Sequence, residues 1–293
     1  MPASLVFSQM MSGLTTAMFL FLIASGLSLV FGVMRVINFA HGSFYMVGAY
    51  LAWQVVHWLH PIGPSFWLAA LAAGLGVALL GGVIERLLLR HLYGVDELYQ
   101  LLFTYALVLI LGDAAKFVWG TDQLSVSAPP ALAGGIQIFG TTQPLYSLFM
   151  IAIGPLIAVV GWLVLTRSGA GRLMRAAAHD REMLGALGAN VGVLYTGMFV
   201  VSSFLAGLSG ALVTPIQSIV PGMDVLIIVQ AFIVVVIGGM GSFWGTFWGS
   251  VIYGEVLSFG ILVFPSFSLF SVYALMAVIL ILRPWGLFGQ PLR

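Results

Sequence analysis

Charge is what this chain has least of. Lys and Arg together number 10, and Asp and Glu 9, among 293 residues; lysine occurs once, at Lys116. A soluble domain carries roughly 25% charged residues, against 6% here, so this chain has too little charge to cover a water-facing surface. Cysteine is absent altogether. That excludes disulfides, thiolate nucleophiles and Cys-based metal sites, and leaves the compartment open on redox grounds. The net charge of +1 offers no basic field to nucleic acid. A phosphate-cradling loop ends in Gly-Lys-Ser/Thr, whereas Lys116 stands between Ala115 and Phe117. A His-Glu-x-x-His helix, a metal-binding carboxylate cluster and a Gly-x-Ser-x-Gly elbow are missing too. Transport therefore outranks catalysis.

What is present is apolar: 61% hydrophobic residues and 36 glycines, with a mean hydropathy of +1.13. Glycine is more frequent in membrane helices than in soluble ones. Runs of the roughly 20 apolar residues needed to span a bilayer fall near 10–32, 39–58, 66–86, 99–119, 146–166, 194–214, 223–240, 244–264 and 268–283. The opening MPASLVFSQM has no Lys or Arg and its run continues to Phe31, so it reads as a retained helix rather than a cleaved signal peptide. Long runs without period-two alternation exclude a β-barrel. The expected fold is an all-α, polytopic transmembrane helical bundle of about 8–10 helices, a single transmembrane domain over 1–293. The runs at 223–240 and 268–283 are short enough to be re-entrant or differently tilted.

Arg35, Arg86, Arg90, Arg167, Arg172, Arg175, Arg181, Arg283 and Arg293 fall at alternate ends of the runs. The positive-inside rule then puts the N-terminus outside and the C-terminus in the cytoplasm, with 120–144 an external loop and 167–193 a cytoplasmic one. Ser203 and Gly207, Gly207 and Ala211, and Gly245 and Gly249 stand four apart, as in closely packed helix pairs. HGSFYMVGAY (41–50) and MGSFWGTFWG (240–249) share Gly-Ser-Phe, a small hint of an internal repeat.

Three places carry candidate chemistry. In the string MRVINFAHGSFYMVGAY (34–50), Asn38 could cap the following helix and His41 could bond a neighbouring helix; alternatively both line or gate a polar path. Glu255 sits mid-run in GSVIYGEVLSFG without an adjacent cation, and a carboxylate at membrane depth is either functional or a protonated or bonded structural group. Asp113 and Lys116 can pair locally, and Asp224 follows Pro221-Gly222 at an outer mouth, by an entrance or in water. The third place is the polar interruption RSGAGRLMRAAAHDREMLGALGANV (167–191). Arg172 to Leu187 is rich in helix formers, with Leu173, Ala177 and Leu184 on one stripe. A short helix of this kind suits a groove on a soluble partner; a solvated loop would explain the arginines alone.

Over nearly its whole length the chain resembles the Liv-type permeases of branched-chain amino-acid ABC importers. The likeness rests on GLSLVFGVMRVINFAHGSFYMVGAY (26–50), VIERLLLR (83–90), the 167–191 string, VIGGMGSFWGTFWGSVIYG (236–254) and RPWGLFG (283–289). It implies a bacterial inner-membrane subunit for branched-chain or related amino acids. It also implies a second permease, two cytosolic ATPases that bind the ATP and Mg²⁺ this chain does not, and a periplasmic solute-binding protein. Residues 167–191 would be the ATPase-coupling segment, with Arg172, Arg175, Ala177, Asp180, Glu182, Leu184 and Gly188 as its candidate docking residues. Asn38, His41 and Glu255 are the candidates for the translocation path or its support. The Glu-Ala-Ala-x-x-x-Gly string of many importer permeases appears here only in the diverged form RAAAHDREMLGALG. Relatives that carry urea, amides or other amino acids, and ion-coupled secondary transport, remain alternatives.

Overall fold

A computed structural model describes residues 2–59, 65–263 and 265–289; Arg293, used in the arginine sorting, lies outside the described residues. The helices are α1 (Ala3–Met34), α2 (Ala40–Leu59), α3 (Ser65–Leu87), α4 (Glu97–Trp119), α5 (Leu145–Arg167), α6 (Gly169–His179), α7 (Arg181–Ala186), α8 (Val191–Val213), α9 (Met223–Gly238), α10 (Phe243–Val263) and α11 (Ser268–Leu282). The all-α bundle is therefore present. Seven segments, six of them these helices and the seventh Pro265–Leu282 with α11, are long and apolar enough to cross a membrane, while α9 is a shorter apolar helix. This is a multi-pass membrane protein. Each sequence run corresponds to one helix, because a span in lipid must satisfy its backbone within itself. The ends follow local chemistry: Asp96 accepts from Leu98 N at the start of α4, and Asn190 from Val193 N at the start of α8.

Antiparallel contacts sort the helix ends into two faces. Gly32 packs on Gly241, Gly239 on Gly289, and the Arg90 guanidinium beside Gly192, gathering the described arginines at one end. At the other end Leu124 pairs with Ile219, and Phe7 stacks edge-on against Phe139. Within 120–144 the strands β1 (Gly135–Ile138) and β2 (Thr141–Pro144) form a hairpin, with Phe139 and Gly140 at positive φ in its two-residue turn. That hairpin has no apolar pattern, so the hydropathy runs did not reveal it.

Two helices begin inside the bundle. After α1, Arg35 adopts a left-handed backbone (φ 54) and residues 36–38 are neither helix nor strand; the chain turns back so that His41 on α2 meets Ile23 and Gly26 of α1. The first turn of α9 reaches the same level: Gly42 packs on the Asp224 backbone, and Ser43 bonds the Asp224 carboxylate. Irregular backbone at membrane depth is tolerated only where protein surrounds it, and here Thr104 Oγ1 donates to the Ile37 carbonyl at 3.2 Å. The close helix packing read from small residues is present. Gly207 lies between α2 and α3, against Gly48 and Val77, and Gly245 and Gly249 both meet α9 at Gly238. The shared Gly-Ser-Phe string falls in different registers: Ser43 is inside the first turns of α2, whereas Ser242 accepts from Gly245 N ahead of α10.

Candidate functional site: a buried polar junction and an exposed capping pair of helices

The junction forms where α1, α2, α8 and α9 meet. His41 is fully buried, and its Nε2 donates to the Ile23 carbonyl at 2.9 Å. Ser202 Oγ on α8 donates to the Gly26 carbonyl at 2.8 Å and lies 3.5 Å from His41 Nδ1. His41 thus bonds a neighbouring helix, one of the two readings open from the sequence. Asn38 is buried, yet its Oδ1 accepts no hydrogen bond. The side-chain cap expected of Asn38 is absent: only its backbone carbonyl serves α2, accepting from His41 N. Asp224 corrects a second expectation. It is 3% exposed, neither at a mouth nor in water, and accepts from Ser43 Oγ at 2.7 Å. The sequence offered no signal for Ser43. Asp224 itself carried one, since an acid in the first turn of a helix complements the positive end of the helix dipole.

Glu255 belongs elsewhere. Its carboxyl group lies over Gly13 of α1, where a β-carbon would stand 2.9 Å from Cδ, and its Oε1 has no partner. Gly13 is ten residues along α1 from Ile23, about 15 Å at the helical rise, so Glu255 and His41 form separate sites. Asp113 and Lys116 pair at 3.0 Å as expected.

At the arginine-rich end, α6 and α7 replace the single helix expected over 172–187. Asp180 breaks it, because its Oδ1 accepts from both Glu182 N and Met183 N at 2.9 Å and so starts a new helix. Ser168 caps α6 by accepting from Gly171 N. The break divides the apolar stripe. Ala177 (4% exposed) and Leu184 (7%) are buried in their own chain, so as surface contacts they are corrected to anchors; Leu173, Met183 and Leu187 are exposed instead. Arg172, Arg175, Asp180, Glu182 and Gly188 are exposed, and Gly188 turns the chain with φ 85. A cleft of about 580 Å³ separates this pair from the rest of the end; Met34, Arg35, Asp96, Glu97, Asp180, Glu182 and Tyr195 are among the residues lining it.

Below the cleft Tyr93 donates to Glu85 Oε1 at 2.7 Å and packs edge-on against Tyr195. Burial, reinforced by the Glu85 carboxylate, pushes the Tyr93 phenol well above the usual tyrosine range. Glu85 is 0% exposed and its second oxygen is unpartnered. Sequence reasoning passed over Glu85, which stands beside Arg86 near the end of α3 and so lacks the mid-run, cation-free setting of Glu255.

A helical bundle with helices broken at mid-depth, buried polar groups at the break and a helix pair exposed at its arginine-rich end is built as a membrane permease. The particular family follows from comparison: residues 9–282 match the model described as branched-chain amino acid transport system, permease component, and the chain belongs to that family. It is 31% identical over 297 residues to the high-affinity branched-chain amino acid transport system permease protein BraD of Pseudomonas aeruginosa, covering 97% of this chain and 95% of that one. It is 28% identical to LivH of Escherichia coli K12, again over 97% and 95%. LivM of the same organism, also a permease of that system by name, is 25% identical over 93% of this chain and 68% of its own length. Among solved structures, PsaBC from Streptococcus pneumoniae in complex with Fab aligns at a TM-score of 0.47 and 13% identity over 92% of this chain and 89% of that one.

Proposed function

We propose that this chain is one of two permease subunits of an ATP-driven importer that carries branched-chain or related amino acids across the bacterial inner membrane. In this reading the arginine-rich end faces the cytoplasm, α6 and α7 dock on one of two cytosolic ATPases, and those subunits hold ATP and Mg²⁺. A periplasmic binding protein delivers the solute to the opposite end. A distinct second permease fits best, because the chain is similar to both LivH and LivM of one organism. The observation that carries the proposal is the exposed helix pair: Arg172, Arg175 and Glu182 with the apolar Leu173, Met183 and Leu187, mounted on buried Ala177 and Leu184. A short amphipathic helix presented on anchors is the form that enters a groove on a partner. Movement of α6 and α7 across the cleft at Arg35 reaches the irregular 35–39 segment, and through it Asn38, His41 and the start of α2.

The test replaces Met183 and Leu187 with Asp in vesicles reconstituted with the neighbouring subunits. The reading expects loss of ATPase co-purification and of ATP-dependent leucine uptake, with the permease still folded. Unchanged association and unchanged uptake remove the docking assignment, and uptake that survives ATP depletion but collapses with the proton gradient removes the ATP-driven reading itself.

A further inference from the structure

The Glu255 side chain stands on a polar stripe that no hydropathy run revealed. Along α1, Gln9, Gly13 and Thr16 lie on one helical face with Ser12 beside it. Gln9 and Ser258 of α10 bond each other's backbone in both directions, with Ser258 Oγ donating to the Gln9 carbonyl at 2.7 Å. Ser12 is exposed, and Gln9, Thr16 and Glu255 are partly so. The stripe's deeper members are Glu255, eight residues from the α10 end at Val263, and Thr16, nine residues beyond the Phe7 that meets the Phe139 hairpin, about 12–14 Å at the helical rise. The accessible face of α3 at such depth, along Leu68, Leu71, Leu75 and Leu79, is apolar by contrast.

The Ser12 and Thr16 hydroxyls and the Glu255 carboxylate, left without internal partners, are costly against hydrocarbon. The face they occupy must therefore meet water or protein. No cation of the chain answers Glu255 among the described residues. The arginines are gathered at the other depth, and Lys116 is held by Asp113. We infer that the seam of α1 and α10 lines a water-filled translocation path, and that Glu255 there receives the ammonium group of an amino-acid cargo. This rests on the importer reading but assigns a face and a residue that it does not. Ser12 and Thr16 supply the hydration and Gly13 the room: a side chain at Gly13 would displace the carboxylate.

The absence of cysteine makes the test clean. Ser12→Cys and Thr16→Cys, with Leu75→Cys and Leu79→Cys as lipid-side comparisons, are probed in the reconstituted assembly with a charged, membrane-impermeant methanethiosulfonate. A thiol in water forms the reactive thiolate and one in hydrocarbon does not, so the two α1 positions label at least ~10-fold faster in one nucleotide state. Leucine slows that labelling. Glu255→Gln lowers leucine uptake about tenfold, the loss of one charged contact, while Ser12→Cys labelling in that background is unchanged. Labelling at Ser12 and Thr16 as slow as at Leu75 and Leu79 in every state overturns the inference even if ATP-driven uptake is intact. Reactivity in the isolated chain that vanishes on assembly overturns it in favour of a subunit interface. Undiminished uptake by Glu255→Gln overturns the ammonium role.

Discussion

Gly26 is the residue at which packing and the polar junction can be perturbed together. A methyl group there would stand 2.8 Å from the Ser202 carbonyl oxygen of α8 and 3.0 Å from Cε1 of His41. Ordinary contact needs about 3.5 Å, so α1 must move by roughly 0.5 Å away from two neighbours at once. Neither neighbour is a flexible chain end: one is backbone, and the other is a ring held by its bond to Ile23. Overpacking of this kind costs about 1–3 kcal/mol, and removing a mid-helix glycine returns about 0.5–1 kcal/mol. The expected net loss for Gly26→Ala is about 1–2 kcal/mol. Gly112→Ala on α4, where nothing lies within 4 Å, should gain about 0.5–1 kcal/mol. Thermal unfolding of the purified chain in detergent, followed by near-UV circular dichroism, reads the difference. Uptake should fall with Gly26→Ala as the His41 ring shifts. If Gly26→Ala matches Gly112→Ala in stability, the three helices do not meet as closely as described and the junction argument fails.

Ser43→Ala leaves the Asp224 carboxylate buried without its donor and should cost about 1.5–3 kcal/mol, restored by Ser43→Thr but not by Ser43→Val; the same unfolding assay ranks the three. Asp180→Ala removes both acceptor bonds at the start of α7, a loss of about 1 kcal/mol, and should reduce ATPase association more than it reduces the permease's own unfolding temperature. Tyr93 binds its proton more tightly folded than unfolded, so its contribution to stability is complete below the ordinary tyrosine pKa of about 10 and is lost as pH rises above it. Absorbance titration at alkaline pH should show fewer phenols ionising in the folded wild type than on unfolding, and Tyr93→Phe should reduce that difference by one.

Most of the fold was legible because lipid imposes one rule on every span. The nine apolar runs became nine helices, and the small residues at 207, 245 and 249 became close contacts. The site was less legible. His41 was found as a polar group in an apolar setting, but its partners, Ile23 and Ser202, are 18 and 161 residues away, beyond any local pattern. The stripe on 172–187 was real, yet Asp180 broke it, since a capping carboxylate outweighs helix propensity over so short a segment. Glu85 stands beside Arg86 at the end of a run, and only its tertiary neighbours bury it.

By itself the sequence determined the class, the spans and the sorting of arginines, because hydropathy and charge act residue by residue against the solvent on either side. It also singled out Glu255, through the cost of a charge at that depth. Only the tertiary structure decided that α2 and α9 begin within the bundle, that Asp224 is held by Ser43, and that Ala177 and Leu184 turn inward. These depend on which helices become neighbours. Between spans of equal hydropathy, that choice is made by backbone approach and hydrogen-bond geometry, which no single helix contains.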